Sequence, residues 1–389
     1  MLDRSRFLQE IQKFSGNLFR DNRKNTHDVE NAWQNALHNQ KQLLEEIKRR
    51  HMHCALPLWH DDLGYSVKVA SANIPYTILG VDGSQIYPDR HRGGLQCYMV
   101  NIGSVLLVYG SQTSTVNLSS IPHLFAEDDA YSVVDSEEVA TKDIVDLRRE
   151  ELEFTQGFAA SQAYANQYGS EQFLCCFDGS FIFWHLESKP QEIKERFLSI
   201  YLDALKAFCD YKIVVASYIS LPRNRELANL LPLATCAVFK KMGKMCSSGD
   251  ECSCIIFKNI IDSEIVSLYL QPGYRTTVFT STSYVTREYP QDLVPCFFFM
   301  HVGQEIVRVE IPTWVARNQQ SVDMVASFLF DQAVKGNGYP VVLAEAHEQA
   351  VIKVSEQDFF YEILAQRAAE KGISLKQSQK SLKKKVMGI

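Results

Sequence analysis

Two separated stretches of this chain share one pattern: a largely apolar, strand-forming run that ends in Asp-Gly-Ser. The first is YTILGVDGSQ at 76–85; the second lies within EQFLCCFDGSFIFW at 171–184. An apolar run without polar alternation suits a strand buried on both faces, inside a sheet covered by helices. An aspartate at the carboxyl end of such a strand faces the crevice where open α/β sheets take their ligands. The glycine beside it lets a backbone or a phosphate come close. One Asp-Gly is an ordinary turn dipeptide; two on buried strands make Asp82 and Asp178 a candidate pair. Carboxylates held side by side repel unless a cation lies between them, and hard oxygen donors suit Mg²⁺ or Mn²⁺.

The rest of the chain places these strands in an α/β order. Residues 1–51 carry apolar stripes, Phe7, Ile11, Phe14 and Leu18, then Trp33, Leu37, Leu44 and Ile47, which predict a helical hairpin or bent helix. After the strand at 76–85, residues 95–110 read as two strands with a turn at 101–104, and 111–139 as an irregular connection. Helices are expected over 141–167 and 190–209, a strand over 211–220, and a helix opened by Pro222 in LPRNRELANLL. Further on, strands are expected at 265–270 and 277–281, a hairpin from 295–301 and 305–311, and a helix over 321–334. This is an antiparallel start followed by a parallel continuation. The domains expected are 1–56 as a helical dimer or partner contact, 57–355 as the body, and 356–389 as a helix and basic tail.

A third carboxylate is expected from the helix between the two aspartates. Glu153 shares a face with Gly157, Ala160 and Ser161, small residues that permit close approach to a sheet. Glu151 lies on the face of Leu147, Phe154 and Phe158 and is the runner-up. Glu150 and Asp146 suit an exposed acidic helix start. Late in the chain, His347 stands beside Glu345 and Glu348 after a Gly-Tyr-Pro turn. A histidine there could bind a second metal or protonate a leaving oxygen, although a lone histidine is more often structural.

Net charge is −6, which neither requires nor excludes nucleic acid, but residues 367–389 hold seven Lys/Arg and one acid. Such blocks are usually solvated tails, and some hold phosphate backbones. No apolar run approaches the roughly 20 residues of a membrane span. No secretory leader is expected from MLDRSRFLQE, so the reading is a cytoplasmic chain whose ten cysteines are reduced. Cys246, Cys252 and Cys254 lack the spacing of a zinc ribbon and read as loop thiols. There is no GxxxxGK[ST], so ATP hydrolysis would belong to another chain.

The order Asp on the first strand, Glu on the first helix and Asp on the fourth strand is reminiscent of ribonuclease H-like nucleases. Seven segments in register carry a closer resemblance: GVDGSQIYPDRH, LRREELEF, FDGSFIFW, VVASYISLPRNREL, LQPGYRTTVF, VRVEIPTWVA and YPVVLAEAHEQAV. Together they span roughly 76–355, and by them the chain resembles the NurA nucleases. The resemblance implies a ribonuclease H-like mixed sheet flanked by helices, with extra C-terminal strands and helices. It implies a Mn²⁺-dependent (or Mg²⁺-dependent) DNA nuclease with 5′–3′ exonuclease and single-strand endonuclease activity. It also implies a homodimer working with a HerA-like hexameric ATPase in DNA end processing. Asp82, Asp178 and His347 match the family's metal-binding and catalytic positions, and Glu153 matches the helix glutamate with its register open by two or three positions. Arg90, Arg223, Arg225 and Arg275 are candidates for the DNA track, each with a surface or ion-paired role as the alternative. Some family members carry a lysine after the strand matched by VVASYIS; here Arg223 and Arg225 follow it.

Overall fold

Every apolar run named above must find cover, and one large sheet provides it. The computed structural model describes residues 2–18, 26–49, 54–72, 75–89, 92–93, 97–110, 114–126, 141–169, 171–242, 253–373 and 376–377. The strands of its large sheet are β1 (Pro57–Trp59), β2 (Ser66–Lys68), β3 (Tyr76–Ile86), β4 (Cys97–Tyr109), β5 (Thr115–Ala126), β6 (Phe173–Asp178) and β7 (Val214–Ile219). Then come β8 (Tyr274–Thr276), β9 (Phe279–Ser281), β10 (Pro295–His301) and β11 (Ile306–Pro312). The main path runs β1-β9-β10-β11-β7-β6-β3-β4-β5, with β2 and β8 attached beside β10. β3 pairs antiparallel with β4 and β4 with β5, whereas β3–β6 and β6–β7 are parallel. Three antiparallel strands followed by two parallel ones, in the spatial order third-second-first-fourth-fifth, is the ribonuclease H-like arrangement. β11 then closes antiparallel on β7.

The helices are α1 (Arg4–Leu18), α2 (Thr26–His38), α3 (Gln40–Arg49), α4 (Thr141–Tyr168), α5 (Gln191–Asp210), α6 (Leu230–Thr235), α7 (Ala237–Met242), α8 (Asp262–Val266), α9 (Thr313–Ala316), α10 (Gln319–Lys335), α11 (Val341–Ala350) and α12 (Val354–Glu370). The period of two along β3 decides which side chain meets which layer. Leu79 and Val81 pack with Phe154 of α4 and Phe197 and Tyr201 of α5. Ile78 points the other way, into a core shared with α10 and α11. A third core joins Trp33, Leu43 and Ile47 of α2 and α3 to the chain around α6 and to Phe279 and Phe297. The second half of the N-terminal stripe is thus packed, while Phe7 and Phe14 of α1 are exposed.

Four expectations are corrected. Residues 97–109 form one strand, not two with a turn at 101–104; Gly103 lies inside it, where a helix comes close. The span 111–139 contains strand β5, whose largely exposed residues, apolar Val116, Leu118, Ile121 and Leu124 among them, pair with Cys97 to Val108 of β4. Residues 265–270 contain no strand and begin inside helix α8, because a short apolar run does not distinguish the two. Pro222 opens no helix; turns lead to α6 at Leu230.

Candidate active site

The period of two also builds the site. Along the end of β3, Gly80 and Asp82 face α11, and Gly83 faces α4. Gly80 and Gly103, the latter directly across from Asp82, form a bare notch in the sheet. A Cβ at Gly80 would lie 2.5 Å from Val342 O, and one at Gly103 only 2.3 Å from Ala350 N. Helix α11 fills this notch. Its end is fastened by the Ser84 hydroxyl and the Asn101 amide, both donating to Ala350 O at 2.5 and 2.8 Å. The seating brings His347 Nδ1 to 2.7 Å from Asp82 Oδ2, with the imidazole largely open to solvent. Asp82 Oδ1 accepts from the Gly83 amide at 2.8 Å.

Glu153 arrives from the opposite face. Helix α4 lies close to the sheet because Gly157 has no side chain to strike Phe177, and because Gly83 leaves room for the Glu153 carboxylate. Glu153 is buried and pairs with Arg149 at 2.5 Å. Burial pushes its carboxyl up to about 8; Asp82 and Glu150 add to the rise, and Arg149 opposes it. The other carboxylates of the helix are engaged elsewhere: Glu150 with His185 at 2.8 Å, Glu151 with Arg148 at 2.7 Å, and Asp146 with the Tyr87 hydroxyl at 2.5 Å.

Asp178 ends β6, the parallel neighbour of β3, and Gly179 turns the chain with φ +115°. The Asp178 side chain opens to solvent, yet crowding raises it above the usual carboxylate range. Desolvation contributes most and Asp82 adds to it; the Tyr339 hydroxyl and His347 work the other way. Tyr339 donates to Asp178 Oδ2 at 3.0 Å. Sequence reasoning passed over this tyrosine as part of a turn, and its place two residues before α11 was the only available signal.

Among the described residues, no three His, Cys, Asp or Glu side chains stand together as a closed metal cage. Each candidate is drawn aside by a protein partner: Asp82 by His347, Glu153 by Arg149, Asp178 by Tyr339. The donor chemistry nevertheless fits a hard divalent cation. Asp82 and Asp178 end adjacent strands and Glu153 lies against Gly83, so hard oxygen donors of like charge stand near one strand end; burial is the main cause of the raised Glu153 and Asp178 carboxyls, and Asp82 adds to both.

The arginines divide. Arg223 is exposed. Arg225 donates to the carbonyls of Phe257 and Lys258, and Arg275 is buried against Asp323 at 2.6 Å, so both guanidiniums serve intramolecular contacts. Arg90, the lysines at 380–385, Cys246 and Cys252 lie outside the described residues, and Cys254 is buried. No described helix is long and apolar enough to cross a membrane.

The NurA domain family model matches residues 76–352, well over half of the chain. Among solved structures, the NurA nuclease from Sulfolobus solfataricus is 13% identical with a TM-score of 0.48, covering 91% of this chain and 98% of its own. A NurA structure bound to dAMP and manganese is 11% identical with a TM-score of 0.39, covering 94% and 98%. A type 1 ribonuclease H is 12% identical with a TM-score of 0.23, covering 46% and 81%. No curated protein matches.

Proposed function

The chain belongs to the NurA domain family, and from that premise we propose that it is a metal-dependent nuclease acting on DNA. The observation that carries the proposal is the placing of Asp82 and Asp178 at the ends of adjacent parallel strands, with Glu153 lying against Gly83 beside Asp82. Asp82, Asp178 and Glu153 would hold Mn²⁺ or Mg²⁺, with His347 at the edge. When bound, such an ion supplies Lewis-acid charge at the scissile phosphate.

The chain's own groups have separate tasks. The Tyr339 hydroxyl stabilises the ionised form of Asp178, the form a cation needs. Arg149 does the same for buried Glu153. His347, tethered through Nδ1, has Nε2 for exchanging a proton with an attacking or leaving oxygen. Arg223 and the lysine-rich end are the proposed contacts to the phosphate backbone. In its finer form the proposal is a 5′–3′ exonuclease and single-strand endonuclease, working as a homodimer with a HerA-like hexameric ATPase. The exposed apolar residues of α1 support a protein contact at the N-terminus.

The test is cleavage of end-labelled single- and double-stranded DNA in Mn²⁺, Mg²⁺ or EDTA, comparing wild type with Asp178→Asn. Metal-dependent products that vanish in the variant are expected. Products that persist in the variant, or none from folded wild type with and without a HerA-like ATPase, would overturn the proposal.

A further inference from the structure

Outside the site lies a fully buried ionic cluster that the chemistry above does not use, and it reaches the turn that follows Asp178. We infer that Glu310, on β11, is a positioning residue for Asp178, itself held by Arg308 and Glu226. This deepens the nuclease reading and rests on it for the role of Asp178.

One Glu310 oxygen, Oε2, accepts from the Ser180 hydroxyl at 2.9 Å and the Phe181 amide at 2.8 Å. The other, Oε1, accepts from Arg308 Nε at 2.7 Å. Arg308 passes the restraint on: Nη1 donates to Glu226 Oε2 at 2.6 Å, and the guanidinium lies 3.6 Å from the centre of the Phe297 ring. The other Glu226 oxygen accepts from Ser281. Arg308 and Glu310 have no exposed surface and Glu226 almost none.

Two features make positioning the better account than stability. A buried ion cluster is a poor stabiliser, because desolvating the charges cancels most of their attraction and apolar replacements of like volume are often as stable. Beyond Glu310, the turn is held downstream of Gly179 by the Ile182 amide donating to Ser180 Oγ at 3.0 Å and the Tyr289 hydroxyl donating to Phe181 O at 3.0 Å. Gly179 sits at φ +115°, and its amide makes a long 3.3 Å bond to Tyr218 O while also supporting the Asp178 carboxylate. Glu310 grips the next two residues, fixing where the chain leaves β6 and so where Asp178 points. Groups that orient a ligating side chain in this way typically matter tenfold to a hundredfold in metal affinity.

The test uses the full chain in two states. In metal-free protein, amide exchange of residues 178–183 is measured by mass spectrometry for wild type, Glu310→Ala, Glu310→Gln and Ser180→Ala, with β4 as internal reference. Mn²⁺ binding is then followed by calorimetry, without DNA. Glu310→Ala is expected to speed exchange of 178–183 at least tenfold with β4 unchanged, and to weaken Mn²⁺ binding about tenfold. Glu310→Gln, which still offers the turn an acceptor oxygen, should recover part of both. If Glu310→Ala does not fold, Ser180→Ala carries the test, since it removes the Ser180–Glu310 bond and the Ile182–Ser180 bond within the turn and leaves the Arg308 pair intact. A folded variant with wild-type exchange at 178–183 and wild-type Mn²⁺ affinity would overturn the inference, as would faster exchange spread evenly over the sheet. If wild type neither binds Mn²⁺ nor cuts DNA while the turn still loosens in Glu310→Ala, the nuclease reading fails and the anchoring of the turn stands.

Discussion

Replacing Gly103 by alanine tests whether the seating of α11 creates the site. The new Cβ would lie 2.3 Å from Ala350 N, 2.5 Å from Ala346 O and 2.7 Å from the Gln349 carbonyl carbon, whereas ordinary contact begins near 3.4 Å. All three are backbone atoms of the helix and cannot swing aside. The helix must retreat by about 1 Å, and overpacking of this kind costs about 2–3 kcal/mol. The same retreat carries His347 away from Asp82 and disturbs the bonds from Ser84 and Asn101 to Ala350 O. A misplacement of that size is worth about 100-fold in rate. The assays are a urea midpoint and cleavage of end-labelled DNA at saturating Mn²⁺. Gly83→Ala is the comparison: its Cβ meets the Glu153 Oε1 and Arg149 Cγ atoms, which can move. It should cost only about 1 kcal/mol, while still displacing Glu153 and lowering activity. An unchanged midpoint and an unchanged rate in Gly103→Ala would refute the reasoning, because the helix would not then rest on that notch.

Three further outcomes follow from the same contacts. With its carboxyl at about 8 against 4.5 for the free group, Glu153 binds a proton in the folded state that the unfolded chain releases, so its contribution to stability falls as pH rises across that interval. Glu153→Gln should flatten the slope of urea midpoints measured in EDTA at about pH 5, 7 and 9; an unaltered slope would contradict it. Tyr339→Phe removes the hydroxyl that holds Asp178 down, at a cost near 1 kcal/mol or less in stability. It should move the acid limb of the pH–rate profile to higher pH, and a profile identical to wild type would count against the assigned role. Arg308→Ala strands Glu226 and Glu310 in the interior and should destabilise by about 3–5 kcal/mol in denaturant melts; a loss under 1 kcal/mol would mean the cluster is not desolvated as described.

How much of this was legible beforehand depends on the range of the interaction. The apolar runs before Asp82 and Asp178 predicted buried strands, and they occupy the centre of the sheet as a parallel pair. The small residues on one face of α4 predicted its approach, and Gly157 against Phe177 bears this out as a contact. Gly103 was read as a turn, since a glycine in a β-branched run signals either a break or a close approach. Which of the two holds depends on a helix almost 250 residues later in the chain. For Arg225 and Arg275 both a DNA contact and an intramolecular pairing stood open, because charge alone does not reveal a partner supplied by another element, and the structure shows the pairing.

Periodicity and burial are local properties, so the two strand-end aspartates and the helices at 141–167, 190–209 and 321–334 could be read from the chain alone, while β5 and the single strand at 97–109 could not. The meeting of His347 and Tyr339 with those aspartates, and of Glu310 with the turn after Asp178, could not. Each comes from a segment more than 100 residues away, brought in by the docking of α11 into the glycine notch and the closing of β11 on β7. Such meetings are fixed by packing between layers, on which no window of sequence carries a signal.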